Sequence, residues 1–439
     1  MGSIPRDPAI DGSLALLREG YLFLPRRFER LDTDVLELRL MGLRFIALRG
    51  RDAAALFYDP TRFVRRGAVP MAVQRTLLGE RGVQTLDGDM HAKRKKMFMS
   101  LMSRERIDAL MGEMWKQWYA ALDRWQQREE IVLLEEAQDV MCRAACAWAG
   151  VPLEEREVRL RAEDFGAMVH SFATIGPRHF AGRIARARTE RWMGGVIQRI
   201  RRGELRPSPT QASYVVASHV DANDRPLDEH EASVELMNVL RPIVAIGTYV
   251  AFIGHALHAH PDHRAMLRAP VDETTRAERV EAFVQEVRRF YPFTPFLGAR
   301  VRESFEWRGY LFPKGRRVLL DVFGTDHDRR LFDDPDAFRP DRFLGWAGGP
   351  YDFIPQGGGR YEGGHRCAGE WLTIEAMKVA LTFLTRAVEL RFAPQDAHID
   401  LSRIPTLPRS GMILTDVRAV ASDAPRPPVT RPDGAAARI

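Results

Sequence analysis

The feature that most constrains the fold is a long apolar segment with helical period, from Glu231 to about Ala259. Its apolar residues recur at i, i+3, i+4, i+7 and i+8, the spacing of a buried helical stripe: Leu236, Val239, Leu240, Ile243 and Val244. Pro242 lies inside the segment, so we expect a local distortion of the helix there. Such a helix needs a large core around it, and 439 residues with 45% hydrophobic content can supply one.

Most of the chain from about Ala92 to Leu384 has the same helical period. Two further helices are predicted at Glu278–Tyr291, with Val280, Phe283, Val284 and Val287 on one face, and from Glu370 to about Leu384. Short strands are predicted in LELRLMGLRFIALRG and between Arg300 and Leu320, with a turn at Pro313–Gly315. We therefore predict a mainly α protein with small β-sheets, as one domain over residues 1–423. Residues 424–439 are rich in proline and arginine and predict a disordered tail.

The charge balance gives little support for a nucleic-acid partner, because 65 basic residues stand against 59 acidic ones. The basic stretch Arg183–Arg206 is interrupted by Glu190 and Glu204, which favours a solvated helix face over a nucleic-acid patch. The uncharged apolar run Pro242–Gly254 is too short to span a bilayer, and the N-terminal residues lack an apolar leader. We expect no membrane anchor.

Three cysteines are present, and two of them, Cys142 and Cys146, lie four apart in a helical stretch where a mutual disulfide has poor geometry. This pattern favours a reducing compartment, and we expect a cytoplasmic protein.

The third cysteine, Cys367, follows the glycine-rich stretch QGGGRYEGGH and lies in the segment HRCAGEW. Glycines let a chain approach a flat macrocycle, and a helix starting after the cysteine stabilises a thiolate. A buried structural thiol is the alternative; a phosphate loop is disfavoured because no Gly-Lys-Ser/Thr follows.

Two motifs precede this cysteine loop in a fixed order. Glu286 and Arg289 form an E-x-x-R pair on a predicted helix, and Arg342 lies in the downstream segment PDRF. Alone, an i, i+3 pair is common on ordinary helices. The order E-x-x-R, PDRF and glycine-rich cysteine loop resembles the cytochrome P-450 superfamily across the C-terminal third of the chain. The resemblance implies that fold, with haem b bound and the iron held by Cys367.

The resemblance narrows to the bacterial fatty-acid peroxygenases. Where most members of the superfamily have Phe seven residues before the cysteine, this chain has Arg360, and the nearest upstream Phe is Phe353. The long helix lacks the usual acid–alcohol pair and carries Arg241-Pro242 instead, as the peroxygenases do. Matching segments such as GVQTLDGDMHAKRK, VQEVRRFYPFTPFLGARV and IPTLPRSG are spread over most of residues 50 to 415.

This resemblance implies hydroxylation of fatty acids at the α or β carbon with hydrogen peroxide, at a haem-thiolate centre and without a redox partner. Arg241 would bind the substrate carboxylate, which would act as general acid–base. From the residues alone, a buried ion pair of Arg241 with a protein carboxylate is the alternative. His91, Lys95 and His365 would bind the haem propionates, with a solvated helix face as the alternative for His91 and Lys95. Glu286, Arg289 and Arg342 would brace the cysteine loop.

The resemblance assigns the catalytic positions to Arg241, Pro242 and Gln84. Leu78, Phe293, Val169 and Phe172 would line the substrate pocket, with ordinary core packing as the alternative for these apolar residues. Peroxygenases that mainly decarboxylate tend to carry His where Gln84 stands, so hydroxylation is favoured, and Leu78 favours the α carbon. Three alternatives remain: a decarboxylase that makes terminal alkenes, a monooxygenase fed by redox partners, and a non-catalytic haem sensor.

Overall fold

A computed structural model describes residues 2–171, 174 and 176–420. Helices dominate the described residues, and the α-helices are numbered in chain order: α1 (Ser13–Glu19), α2 (Phe23–Arg30), α3 (Arg51–Phe57), α4 (Met71–Val73), α5 (Gly88–Ser100), α6 (Arg104–Trp125), α7 (Leu133–Ala149), α8 (Val158–His170), α9 (Pro177–Arg201), α10 (Ala212–Ala217), α11 (Glu229–Ala259), α12 (Pro261–Arg268), α13 (Glu273–Phe290), α14 (Val322–Asp326) and α15 (Glu370–Thr382). The predicted mainly α class is confirmed. The predicted tail, residues 424–439, lies outside the described residues.

The strands of the described part are β1 (Val35–Leu40), β2 (Leu43–Leu48), β3 (Phe63–Val64), β4 (Glu130–Val132), β5 (Phe296–Val301), β6 (Phe305–Trp307), β7 (Tyr310–Phe312), β8 (Arg317–Asp321), β9 (Val388–Phe392) and β10 (Ile413–Ala419). They form one five-stranded sheet in the order β1-β2-β8-β5-β3, one three-stranded sheet in the order β4-β10-β9, and the hairpin β6-β7. The strands predicted in LELRLMGLRFIALRG and between Arg300 and Leu320 are therefore present. The turn at Pro313–Gly315 lies between β7 and β8.

The long helix α11 lies in the centre of the largest hydrophobic core and packs against α7, α9 and α15. It begins at Glu229, two residues before the predicted start, because the Asp228 side chain caps it by accepting from the N–H of Glu231 over 2.7 Å. In the part of the chain that the structure describes, α11 is long and apolar enough to cross a membrane. Most of its apolar window is buried inside the protein, as in the core helix of a globular domain.

Helix α13 begins at Glu273, five residues before the predicted start at Glu278. The Asp272 side chain caps it by accepting from the N–H of Thr275 over 3.0 Å. The polar first turns carry no apolar period, so the hydrophobic pattern could not reveal them. Helix α13 packs against the PDRF segment, a 3₁₀ turn at Pro340–Phe343, and against α15, so it joins two of the motifs that precede the cysteine.

Candidate active site

Cys367 lies at the end of the glycine-rich loop, three residues before α15 begins at Glu370. The loop requires glycine at Gly357, where φ is +93° and a Cβ would lie 2.6 Å from the hydroxyl oxygen of Tyr58. The N–H of Cys367 donates to the carbonyl of Gln356 over 3.1 Å, which closes the loop on itself. The sulfur thus lies beside the first turn of a helix, whose free N–H groups favour a negative charge.

A cavity of about 420 Å³ extends from this loop to the middle of α11. Most of the site residues predicted from the sequence lie on its wall: Cys367, His365, Lys95, His91, Gln84, Leu78, Pro242 and Phe293. Apolar side chains of α11 complete one side, namely Val239, Ile243 and Ile246. The structure therefore places a cysteine sulfur and the Pro242 turn of α11 on the wall of one largely apolar cavity.

Four basic side chains converge on one part of this wall: His91, Lys95, His365 and Arg65. The rings of His91 and His365 stack with their centroids 3.9 Å apart, and Lys95 Nζ donates to the carbonyl of Arg366 over 2.6 Å. Burial and the charge of Lys95 lower the pKa of His91 to about 4. Burial and the charge of Arg65 lower the pKa of His365 to about 2. Both imidazoles are therefore neutral near neutral pH, while a bound anion would favour their protonated forms.

Sequence reasoning missed Arg65, which is buried under the ring of Phe57, with 4.3 Å from its guanidinium carbon to the ring centroid. A signal was available, because Arg65 lies in the segment RFVRRG at the end of a short strand. Asn238 was missed as well. It is a polar residue in the apolar stripe of α11, one turn before Arg241, and it lies on the cavity wall.

The structure brings Glu286, Arg289 and Arg342 together in a cluster between α13 and residues 335–342, upstream of the cysteine loop. Glu286 accepts from Arg289 Nε and Nη2 over 2.8 and 2.7 Å, and its Oε2 lies 3.2 Å from Arg342 Nε. The N–H of Arg339 also donates to Glu286 over 2.8 Å. Three hydrogen bonds and one further ion-pair contact engage the carboxylate, so the cluster ties α13 firmly to the segment that leads into the cysteine loop.

Arg241 is buried on α11, in the turn that carries Pro242, and its Nη1 donates to the backbone carbonyl of Leu77. Arg186 of α9 donates to the same carbonyl over 2.9 Å. No carboxylate in the described part of the chain forms an ion pair with Arg241, while Arg186 pairs with Glu190. Burial and the charge of Arg186 lower the pKa of Arg241 to about 9. The structure therefore leaves Arg241 as a buried cation with a neutral acceptor, which departs from the alternative of an internal ion pair.

Gln84 lies on the cavity wall next to a buried polar chain. Asn238 Nδ2 approaches Gln84 Oε1 at 3.5 Å and donates to Glu235 Oε2 over 2.9 Å. Glu235 is fully buried and its other oxygen accepts from Arg94 Nη1. Because the carboxylate only accepts, Asn238 must point its amide N–H₂ toward it. Glu235 is the nearest acid to Arg241 along α11, and Arg94 already neutralises it.

Leu78 and Phe293 lie on the cavity wall, as expected for pocket residues. Val169 is buried in α8 and does not form part of this wall, so its contact with substrate stays a prediction. Phe172 lies outside the described residues. Arg360 is exposed, and Phe353 packs with other aromatic side chains near the PDRF segment. Cys142 and Cys146 are both buried and free, as predicted.

The site fits haem b. The wall around Cys367 offers one thiol that would ligate the iron and, beside it, four basic side chains that would bind the propionates. Gly364 and Gly369 let the backbone stay close to the cavity, and a Cβ on Gly364 would lie 2.9 Å from the carbonyl oxygen of Arg360. Burial raises the pKa of the Cys367 thiol, and a bound metal ion is what makes a thiolate stable in such a place.

Residues 250–413 match the family model of cytochrome P450. Among curated proteins, cytochrome P450 4e2 of Drosophila melanogaster is 24% identical over 259 residues, which cover 54% of this chain and 47% of that protein. Sugiol synthase of Salvia miltiorrhiza is 35% identical over 130 residues, 26% of each protein. The chain thus spans about a quarter to a half of the length of these curated relatives.

Solved structures match over nearly the whole chain. Cytochrome P450EX alpha (CYP152N1), solved with myristic acid, is 41% identical with a TM-score of 0.91, covering 96% of this chain and 100% of the other. Cytochrome P450SP alpha (CYP152B1), in complex with (R)-ibuprophen, is 44% identical with a TM-score of 0.89, covering 93% and 99%. Ligand-free cytochrome P450 OleT is 33% identical with a TM-score of 0.92, covering 96% and 100%. The chain therefore belongs to the cytochrome P450 superfamily and, within it, to the fatty-acid peroxygenase family CYP152.

Proposed function

We propose that this protein hydroxylates fatty acids with hydrogen peroxide, mainly at the carbon next to the carboxylate, and needs no redox partner. When bound, haem supplies the iron that takes an oxygen atom from peroxide and inserts it into a C–H bond. The observation that carries the proposal is Arg241, a buried cation whose described acceptor is only the Leu77 carbonyl, beside an apolar cavity walled by Cys367. A chain that binds a fatty acid needs an anion site at one end of an apolar cavity. Arg241 is not itself a wall residue, but it adjoins Pro242, which is, and this adjacency supports the assignment.

A substrate carboxylate at Arg241 would replace the neutral Leu77 carbonyl with a charge-assisted pair. That pair would hold the α and β carbons of the fatty acid closest to the Pro242 turn. The wall residues Val239, Ile243 and Ile246 would then surround the apolar chain of the fatty acid. Oxidation is then directed to the two carbons nearest the anchored end, because the carboxylate fixes the substrate lengthwise.

The lack of a protein group that could transfer a proton also supports a fatty acid as the substrate. Cleavage of the peroxide O–O bond requires one proton to move between its oxygens. From Met237 to Ala259, α11 contains no acidic residue, and Glu235 is already paired with Arg94. A carboxylate held by Arg241 is the group that can take up this proton and return it, so a substrate without a carboxylate would lack the general acid–base.

Gln84 affects whether hydroxy acids or terminal alkenes are the main product. Its amide lies on the cavity wall and is neutral at every accessible pH, so it cannot supply a proton or hold a charge near the reacting carbons. We expect hydroxy acids in excess over terminal alkenes, with the α carbon favoured over the β carbon.

The test is turnover of myristic acid by the haem-loaded protein with hydrogen peroxide alone, with products identified by mass spectrometry. We expect 2-hydroxy acid as the main product, with any 3-hydroxy acid and alkene as minor ones. Product that forms only with NADPH and redox partners would overturn the proposal, and an excess of alkene would show the decarboxylase alternative. Arg241→Leu should abolish this turnover while haem content is unchanged. Arg360→Leu, an exposed arginine of the cysteine loop, is the matched control and should retain it.

A further inference from the structure

The backbone carbonyl of Leu77 accepts hydrogen bonds from two arginines that belong to different helices. Arg241 of α11 donates through Nη1, and Arg186 of α9 donates through its own Nη1 over 2.9 Å. Both arginines are buried, each with an exposed fraction of 4%. A carbonyl oxygen has two lone pairs and can accept from both donors at once. The Leu77 carbonyl therefore links the proposed carboxylate site on α11 to a second arginine on α9.

Leu77 lies in a π-helical turn, Gln74–Leu78, that is seated between α9 and α11. Gly79, which ends the turn, has a φ of +90°. A Cβ at Gly79 would lie 2.5 Å from Val234 Cγ1 of α11 and 2.6 Å from Arg186 Nη2, so the close approach of the turn to both helices requires glycine. Single π turns are rare and frequently occur at functional sites.

The charges of the two arginines are balanced differently. Glu190, one turn further along α9, accepts from Arg186 Nε over 2.8 Å, and the same carboxylate oxygen lies 2.7 Å from Arg186 Nη2. Arg241 has no such carboxylate partner among the residues that the structure describes. The charge of Arg186 is therefore compensated within α9, whereas that of Arg241 is not. A bound anion gains more from pairing with Arg241 than with Arg186.

A carboxylate that binds Arg241 competes with the Leu77 carbonyl for the same guanidinium. Hydrogen bonds from a guanidinium to a carboxylate are roughly twice as strong as those between neutral groups, so the carboxylate displaces the carbonyl. A carbonyl that loses its donor away from water costs free energy. Arg186 avoids this cost, because its hydrogen bond to Leu77 uses a nitrogen that the substrate does not need.

The same contact bears on the shape of the cavity, because Leu77 is followed by the wall residue Leu78. The other end of the π turn is held as well, since Gln74 Nε2 donates to the carbonyl of Val69, another wall residue, over 2.8 Å. If Arg186 released the Leu77 carbonyl, Leu78 would be free to shift against the α and β carbons of a bound fatty acid.

We propose that Arg186 is a positioning residue for the substrate carboxylate. Without substrate, the Leu77 carbonyl accepts from both arginines. When a carboxylate takes Arg241, Arg186 alone retains the carbonyl and keeps Leu78 in place, while Glu190 orients Arg186 and compensates its charge. This role rests on the proposed function, since it concerns the site that the fatty acid would occupy, but it acts on binding and is measurable without peroxide.

The experiment is equilibrium dialysis of the haem-loaded full chain against radiolabelled myristic acid, without peroxide. Arg186→Met should raise the dissociation constant about tenfold, because the bound carboxylate then leaves the Leu77 carbonyl without a donor. Glu190→Gln should lower it about threefold or more, because Arg186 then keeps an uncompensated positive charge near the carboxylate. The matched control is Arg188→Met, which removes another arginine of α9 from a carboxylate pair, with Asp164, and should leave the dissociation constant unchanged.

Turnover with hydrogen peroxide adds a readout that a merely structural role would not move. For Arg186→Met, the KM for myristic acid should rise about tenfold while kcat per haem stays within about twofold, as expected for loss of binding shared by ground and transition states. The share of 3-hydroxy acid among the products should also rise, because Leu78 is no longer fixed. Partial unfolding alone would lower the haem content and leave KM and the product ratio unchanged.

A wild-type dissociation constant for haem-loaded Arg186→Met, or equal weakening by Arg188→Met, would overturn the proposal. If Arg186→Met does not take up haem, Glu190→Gln decides, and unchanged or weaker binding by that variant would overturn it. If the wild type forms hydroxy acid while all variants bind myristic acid equally, the positioning role fails and the proposed function stands. If the variants bind as expected but the wild type forms no hydroxy acid with peroxide, the proposed function fails and the positioning role stands.

Discussion

Replacing Glu286 by alanine should strongly destabilise the protein, because it leaves a buried arginine without its anion. Arg289 is 1% exposed and makes two charge-assisted hydrogen bonds to Glu286, at 2.8 and 2.7 Å. Removing one partner of a buried, hydrogen-bonded ion pair costs about 3–5 kcal/mol. Arg289 keeps acceptors in the carbonyls of Pro335 and Ala337, at 2.8 and 3.1 Å, which places the expected loss toward the lower end of that range.

The assay is urea unfolding of the haem-loaded protein, followed by the carbon-monoxide difference spectrum, which reports thiolate ligation. The matched control is Glu281→Ala on the same helix, whose partner Lys378 is partly exposed, so its loss should cost about 1 kcal/mol or less. A free energy of unfolding for Glu286→Ala within about 1 kcal/mol of the wild type would refute the reasoning, because the carboxylate would then not stabilise buried Arg289.

Three further outcomes are expected. Gln84→His should raise the share of terminal alkene among the products of myristic acid, because imidazole can carry a proton beside the reacting carbons; an unchanged product ratio by gas chromatography would contradict this. Lys95→Met should speed haem transfer to apomyoglobin about tenfold through loss of a charge-assisted contact, and an unchanged rate would exclude a propionate role. Burial raises the pKa of Asp321 to about 7, so the folded protein holds a proton that the unfolded chain releases above pH about 4. The free energy of unfolding should therefore fall between pH 4 and 7, and Asp321→Asn should reduce that dependence; an equal fall in both proteins would contradict it.

The fold was predictable where one pattern repeats over many residues. The apolar period of α11 located the helix within two residues, and the order of the three C-terminal motifs predicted the buried cluster of Glu286 with Arg289 and Arg342. The start of α13 was not predictable from period, because its first turns are polar and solvated. A side-chain cap at Asp272 fixes that end, and such caps act locally without contributing to the hydrophobic pattern.

In the candidate site, too, some residues were predictable from the sequence and others were not. Residues tied to a motif, such as Cys367 and His365, were found from sequence, and the structure places them on one cavity wall. The contacts of Arg241 could not be found, since its acceptor is a backbone carbonyl at Leu77 and its neighbour Arg186 is on another helix. Arg186 belongs to the basic stretch Arg183–Arg206, for which the sequence predicts a solvated helix face, but its side chain is buried. Backbone acceptors and long-range pairs leave no periodic trace in a sequence.

The central claim is that the substrate carboxylate, paired with Arg241, is part of the catalytic machinery. The most direct measurement compares myristic acid with 1-tetradecanol, the alcohol of the same length, at equal occupancy and with hydrogen peroxide as sole oxidant. We predict rapid formation of hydroxy acid from the acid and no oxidation of the alcohol above the haem-free background. Oxidation of the alcohol at a rate comparable to that of the acid would contradict the account, because the protein would then perform the chemistry without the carboxylate.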